Sequence, residues 1–291
     1  MKLRGAAALG AMVILAGCAA GCNSPSRSPS GAAPSNAAAG TLSPSPGSSA
    51  TPISLTGHVA VATAADLRFA MDDLIATFGA ANPGVTVEAT YGSSGTFFTQ
   101  ISEGAPFDVY FSADAEYPRK LETAGLAESA STQLYATGRI VVWVPNDSGL
   151  DVEARGLEAL TDPSITTIAI ANPEHAPYGR AAVAAMKTAG IYDAVKSKFV
   201  LGENIAQAAQ FVESGNADIG VIALSLAVAP SLKDKGRYAV VPIDSYPRLE
   251  QGAVVLKSAV DPEAARAFLD FVLGPDGRTV LDRYGFLLPA S

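Results

Sequence analysis

From residue 58 onward the hydrophobic pattern keeps changing period, from alternating runs to helical spacing and back, and this switching leaves few folds open. Leu67, Ala70, Met71, Leu74, Ile75 and Phe78 recur every three or four residues, which puts them on one face of a helix over 66–81. The runs flanking it, 58–63 and 85–91, have β-type patterning instead. The same reasoning predicts further strands over 109–112, 139–144, 165–171, 199–201, 219–223, 239–242 and 253–256. Further helices are predicted over 96–103, 116–124, 179–189, 205–214, 262–273 and 277–284, two of them closed by Gly125 and Gly190. Strands alternating with helices make an α/β fold with mostly parallel sheets. In such sheets ligands collect at the C-terminal ends of strands, where loops run into helix N-termini.

The loops at those places are built from small and polar residues. They are Thr63-Ala64-Ala65-Asp66, Tyr91-Gly92-Ser93-Ser94-Gly95-Thr96, the stretch from Asn172 to Gly179, and Gly202-Glu203-Asn204-Ile205. Small residues let backbone approach a ligand, and the unpaired N–H groups of a helix start attract anions. Ser93 and Ser94 add hydroxyls, as Tyr178 can. Two readings stand side by side. Either the four loops converge on a small anion with several oxygens, or each loop merely caps its own helix, with Asp66 and Ser94 as N-cap residues.

The N-terminal segment addresses location rather than fold. Lys2 and Arg4 precede an apolar run from Gly5 to Gly17, too short for a mature membrane span and suited to a signal peptide over 1–17. Leu15-Ala16-Gly17-Cys18 resembles the lipobox of bacterial lipoproteins, which implies cleavage before Cys18 and its acylation; an ordinary signal peptide is the alternative. The segment that follows, taken as a lipid-attached tether over 18–56, is mostly Ser, Pro, Gly, Ala and Thr, too poor in apolar surface to fold. Cys18 and Cys22 are the only cysteines, so the remainder of the chain has neither disulfide nor thiol chemistry. A formal charge of −8 argues against nucleic acid and against electrostatic docking to anionic lipid, leaving the anchor as the expected link to a membrane.

Several strings in the folded part resemble the periplasmic molybdate-binding protein family. They are Ala-Ala-Asp-Leu-x-x-Ala-Met at 64–71, Gly-Ser-Ser-Gly at 92–95, Gly-Ala-Pro-Phe-Asp-Val-x-Phe-Ser-Ala-Asp at 104–114 and Asn-Pro-Glu-His-Ala-Pro-Tyr-Gly at 172–179. Ala217-Asp218-Ile219-Gly220-Val221 and Arg283-Tyr284-Gly285-Phe286 continue the match. The resemblance implies a two-lobed periplasmic-binding-protein fold of type II, its sheets joined by hinge strands and closing on a tetrahedral oxyanion. Lobe one is expected over 57–137 plus 250–291, and lobe two over 138–249. It also implies molybdate or tungstate as ligand, an ABC transporter permease as partner, no cofactor, and a monomer.

Carried over by position, the ligand set is Ala65, Asp66, Ser93, Ser94, Tyr178 and Ile205, all hydrogen-bonding to oxyanion oxygens and none bonding the metal directly. Ser93 and Ser94 would give hydroxyl and backbone donors, Tyr178 and Ile205 backbone N–H groups. There are two departures. Some members place a tyrosine where this chain has Ala223, and the Tyr178 hydroxyl is a candidate replacement. Classical members have Ser or Asn at the position of Asp66, and an ionised carboxylate facing a dianion repels it. Asp66 therefore either turns its side chain onto its own helix and offers only its N–H, the favoured reading, or faces the pocket and selects a protonated oxyanion such as phosphate.

Enzymatic readings have less to rest on. His58 and His175 lack metal-ligand spacing, Gly92-Ser93-Ser94-Gly95 is not a nucleophile elbow, and Asp108 and Asp114 suit capping better than catalysis. The chain is expected not to be an enzyme, with a secreted hydrolase, an adhesion protein, and a binder of phosphate or a small organic acid as alternatives. Trp143, the single tryptophan, is expected to pack on a hinge strand.

Overall fold

The computed structural model describes residues 55–290. The readings made for the signal segment 1–17, for Cys18 and for the tether as far as residue 54 lie outside these described residues. Leu55 already packs against the folded core.

The first strands are β1 (Gly57–Ala64), β2 (Val85–Gly92), β3 (Val109–Ser112) and β4 (Gln133–Gly138), separated by α1 (Arg68–Ala81), α2 (Ser94–Ser102) and α3 (Glu116–Thr123). One residue, Arg139, then leads into β5 (Ile140–Pro145). There follow α4 (Val152–Arg155), β6 (Ile168–Ala171), α5 (Pro177–Thr188), α6 (Tyr192–Val195), β7 (Phe199–Gly202), α7 (Ile205–Glu213), β8 (Ile219–Ala223), α8 (Leu224–Ala227) and β9 (Gly236–Val240). The chain ends with β10 (Leu249–Val255), α9 (Pro262–Leu273) and α10 (Pro275–Arg283).

These strands form two five-stranded sheets with the orders β2-β1-β3-β10-β4 and β7-β6-β8-β5-β9. Each sheet is the centre of one lobe. In the first, β1 pairs in parallel with β2 and β3, while β10 runs antiparallel to both its neighbours. The second repeats the plan, with β5 as the antiparallel member between β8 and β9. In each lobe, then, the reversed strand is the one that has just arrived from the other lobe. The register between β10 and β4 shifts at Gln251/Gly252, where Ala136 and Leu134 are matched and Tyr135 is left over.

Alternation along β1 serves both faces of its sheet. Val59 and Val61 point into a cluster with Met71, Leu74 and Phe78 of α1 and Phe268 of α9, whereas Ala62 joins Phe97, Ile101 and Tyr110 on the other side. Burying each such large side chain is worth about 1.5–3 kcal/mol. The second lobe's core is built on Ile140–Val144, Ile168–Ala171 and Ile219–Ala223, strands buried throughout because helices cover both faces. Ala64, Ala65 and Ala113 of the first lobe belong to this second cluster, so the lobes touch along the cleft.

Sequence pattern and structure part company at the sheet margins. β4 was not foreseen: Gln133-Leu134-Tyr135-Ala136-Thr137-Gly138 has no clean alternation, and its strand state comes from pairing with β10. For the same reason β10 begins at Leu249, four residues before the predicted 253. The short helices α4, α6 and α8 carry too few residues for a periodic signal.

Candidate functional site

A small cavity, with about 10 Å³ of water-accessible space, lies between the facing loops of the two lobes, and Ala65, Ser93, Ser94, Tyr178, Asn204 and Ile205 are among its walls. Three α-helices begin here: α2 at Ser94, α5 at Pro177 and α7 at Ile205. A 3-10 turn over Ala65–Leu67 brings the end of β1 into α1 beside them. Each start follows the C-terminal end of a strand, as the crossovers of an open α/β sheet require.

Local chemistry decides which donors remain for a ligand. In α7, the Asn204 side chain accepts from the N–H groups of Ala206 and Gln207 at 3.1 and 3.0 Å, which leaves the first N–H, that of Ile205, to the cavity. In α5, Pro177 has no N–H, so the first donor of that helix is Tyr178. In α2, the Ser94 hydroxyl accepts from the Ala113 N–H at 3.0 Å, which uses a lone pair and leaves the hydroxyl hydrogen free to donate. The Ser94 carbonyl accepts from the Tyr110 hydroxyl at 2.6 Å, so this loop is held from below by a buried phenol. The positive ends of the helix dipoles add to the same potential.

Ser93 does something else. Its hydroxyl donates to the His175 carbonyl at 2.6 Å and lies 3.0 Å from His175 Nδ1, so the expected hydroxyl donor to the ligand is Ser94 alone. The Gly95 N–H also donates to the His175 carbonyl, at 2.9 Å. Thr96 Oγ1 reaches Glu203 at 3.2 Å, and Glu203 faces His175 Nε2 at 3.5 Å. A Cβ on Gly95 would lie 2.6 Å from the His175 carbonyl oxygen, so only glycine allows this approach. A second link between lobes joins Arg180 of α5 to Asp114 at 2.7 Å and to the Tyr117 hydroxyl at 3.3 Å. Asp114 also accepts from the Glu116 N–H at the start of α3, and Asp108 accepts from the Ala60 and Val260 N–H groups, so both carboxylates have structural partners.

Asp66 departs from its favoured reading. It makes no side-chain cap to the turn or to α1, and it is 1 % exposed. Oδ2 accepts from the Tyr178 hydroxyl at 2.9 Å and from Gln251 Nε2 at 2.7 Å, while the Asp66 carbonyl accepts from the Ser225 hydroxyl at 2.7 Å. Burial pushes its pKa up to about 6, against the lowering effect of the Gln251 and Tyr178 hydrogen bonds. The Tyr178 hydroxyl is raised well above the ordinary phenol by burial and then by the Asp66 charge. Because its one proton is directed at Asp66, this hydroxyl is not a free replacement for the tyrosine missing at Ala223.

Gln251 and Ser225 escaped the sequence reading. A buried amide on a strand was the available signal, but β10 was expected to start two residues beyond it. Gly138 makes room for the group: a Cβ there would lie 2.2 Å from the Tyr178 hydroxyl and 2.6 Å from Gln251 Nε2. Trp143 sits in the second lobe's core against Gly236, 1 % exposed, on the strand that follows the crossing.

Comparison with known proteins agrees with this geometry. Residues 59–287 match the family described as bacterial extracellular solute-binding protein. The molybdate-binding protein ModA of Rhodobacter capsulatus is 37 % identical over 231 residues, 79 % of this chain and 88 % of that protein. Its counterpart in Azotobacter vinelandii is 38 % identical over 79 % of this chain and 89 % of its own length. The solved periplasmic molybdate-binding protein of Azotobacter vinelandii superposes with a TM-score of 0.74 at 31 % identity, covering 80 % of this chain and all of that one. Two mixed sheets, a cleft ringed by helix starts and these matches together place the chain in the bacterial extracellular solute-binding proteins, within the molybdate-binding protein family.

Proposed function

We propose that this protein captures molybdate or tungstate between its two lobes, outside the cytoplasmic membrane, and hands the oxyanion to an ABC importer. The observation that carries the reading is the set of donors left over at the cavity: the Ser94 hydroxyl and the first N–H groups of α5 and α7. A fully deprotonated oxyanion accepts hydrogen bonds and donates none, which is what such donors select. Its charge is met by partial charges at helix ends, so no cation has to be desolvated. Ala65, Ser94, Tyr178 and Ile205 are the proposed contacts, with Ser93 and Asp66 joining the lobes behind them. The lobes, expected as 57–137 plus 250–291 and 138–249, are proposed to divide at Arg139 and before Leu249, since Gly138 and Leu249 pair with each other in the first sheet. Acylation at Cys18 after removal of 1–17 would tie the protein to the membrane through the tether, as a monomeric receptor and not an enzyme.

A calorimetric and thermal-shift panel with molybdate, tungstate, sulfate, phosphate and citrate tests this. At about a hundred times its dissociation constant, a true ligand stabilises the fold by roughly 2.7 kcal/mol. Stabilisation by molybdate and tungstate above the others is the expected result. Preference for phosphate would reassign the ligand, and no shift with any of them would overturn the reading.

A further inference from the structure

We propose that closing the lobes around the oxyanion draws one proton onto the Asp66 carboxyl, making Asp66 a specificity-determining residue whose charge is removed at the moment of capture. This rests on oxyanion capture as the function of the cleft.

Donors and acceptors around Asp66 do not balance. Asp66 Oδ1, Gln251 Oε1 and Thr63 Oγ1 are buried oxygens without a hydrogen-bond partner. The first two belong to side chains in contact with each other and are acceptors only, so this pair holds two acceptors that no donor serves. The donors that are present, the Tyr178 hydroxyl and Gln251 Nε2, both go to Oδ2, and Gln251 Nε2 also donates to the Tyr178 hydroxyl at 3.1 Å, so neither serves Oδ1. The N–H groups of Asp66 and Leu67 favour the ionised form slightly, at geometries too poor to count as hydrogen bonds. A proton on Oδ1 turns an unserved acceptor into a donor, which is the one change that improves the count.

Charge points the same way. The groups facing Asp66 are Tyr178 from α5, Tyr135 from β4, Gln251 from β10 and Ser225 from α8, and none is a cation. Tyr246 stands beyond Tyr178, and Arg139, which acts on Tyr246, has its guanidinium on the Gly285 carbonyl at 2.8 Å. Arg68, two residues along, is exposed and lies over the Tyr91 ring. Asp66 takes part in none of the ion pairs among the described residues. Bringing a dianion to the adjacent Ala65 would put two unscreened negative groups side by side in a closed, low-dielectric site. Burial already favours the protonated form, and the ligand's charge adds to it. In the open state the cross-lobe partner Tyr178 is withdrawn and water reaches the carboxylate, so the proton leaves again. Ligand binding and proton binding are then reciprocally linked.

Titration calorimetry of molybdate into the purified protein, in buffers of unlike ionisation heat at pH 6, 7 and 8, decides the matter. Wild type should take up a measurable fraction of a proton per molybdate bound, with affinity falling as pH rises, by up to about tenfold per unit where one full proton is linked. Asp66→Asn keeps the shape and should bind with no proton uptake and a flat pH profile. Molybdate binding to wild type without proton uptake, or uptake retained in the Asp66→Asn variant, overturns the inference while leaving the capture reading intact. Absence of any molybdate binding to wild type overturns the capture reading and this one with it. Should Asp66→Asn fail to fold, Gln251→Leu removes the donor that favours the ionised carboxylate, and its proton uptake should extend to higher pH; an unchanged profile overturns the inference.

Discussion

Gly95 and His175 meet across the cleft, the N–H of the first 2.9 Å from the carbonyl oxygen of the second, with no room for a side chain between them. Gly95 lies inside α2 and has no left-handed backbone requirement, so alanine suits the helix; its Cβ would offend the His175 backbone and press on the Tyr117 hydroxyl at 2.9 Å, the movable end of a side chain. Gly95→Ala should leave the melting temperature of the ligand-free protein unchanged or slightly raised. Closure should suffer, with molybdate affinity reduced about tenfold or more, corresponding to roughly 1.4 kcal/mol. Calorimetry beside a thermal melt separates the two effects.

Ser94→Ala removes the only serine hydroxyl free to donate into the cavity and takes away the acceptor of the Ala113 N–H. A hydrogen bond to a charged group is worth about 1.5–3 kcal/mol, so affinity should drop roughly 10- to 150-fold. Ser93→Ala should cost less, because its hydroxyl serves the His175 carbonyl and not the ligand. Equal losses in the two variants would contradict the assignment.

Arg180 and Asp114 form a half-exposed ion pair between the lobes at 2.7 Å. Such pairs contribute about 0.2–1 kcal/mol and are screened by salt. Arg180→Ala is expected to weaken molybdate binding at most about fivefold at low ionic strength, and the difference from wild type should shrink in 0.5 M salt. A binding series at two salt concentrations is sufficient to test it.

The pKa of Asp66 gives a signed prediction for stability. Folding into the closed state raises it from 3.8 to about 6, so between those values the molybdate-bound protein holds a proton that the unfolded chain has released. The stabilisation from that proton is complete below about pH 4 and is lost as pH rises through 6. About two units correspond to roughly 3 kcal/mol, or several degrees in melting temperature for a domain of this size. Asp66→Asn lacks this term, so with both proteins saturated with molybdate the melting temperature of wild type relative to the variant should fall between pH 4 and 7. Parallel curves would show that Asp66 does not change protonation on folding.

Much of this site was legible in the chain itself, because its parts are local. The loops stood out as small, polar stretches after short apolar runs, although two helices expected from 96 and 179 begin at Ser94 and Pro177; the choice of Ser94, Tyr178 and Ile205 within those loops came from the family resemblance. The long helices were placed through their own periodicity, 262–273 to the residue. What stayed hidden depends on partners distant in sequence. Asp66 meets Tyr178 112 positions away and Gln251 185 positions away, and no local rule says that a carboxylate at a helix start will prefer them to its own backbone. Ser93 looked like a ligand donor until His175, 82 positions on, took its proton. β4 and the first half of β10 create one another, each too irregular to be recognised alone.

The crossing between lobes at Arg139 is a single residue, flanked by β4 and β5, and its side chain is tied to the Gly285 carbonyl through Nε and Nη2 at 3.1 and 2.8 Å. The return crossing between β9 and β10 is longer. Few backbone torsions are therefore free to turn at the short link, and the long one supplies slack without choosing a direction. Opening should follow nearly one path, like a door on a single pin, and each closure should return the same faces to the same register. Capture then sacrifices little rotational freedom, and more of the hydrogen bonding made to the ion survives as affinity.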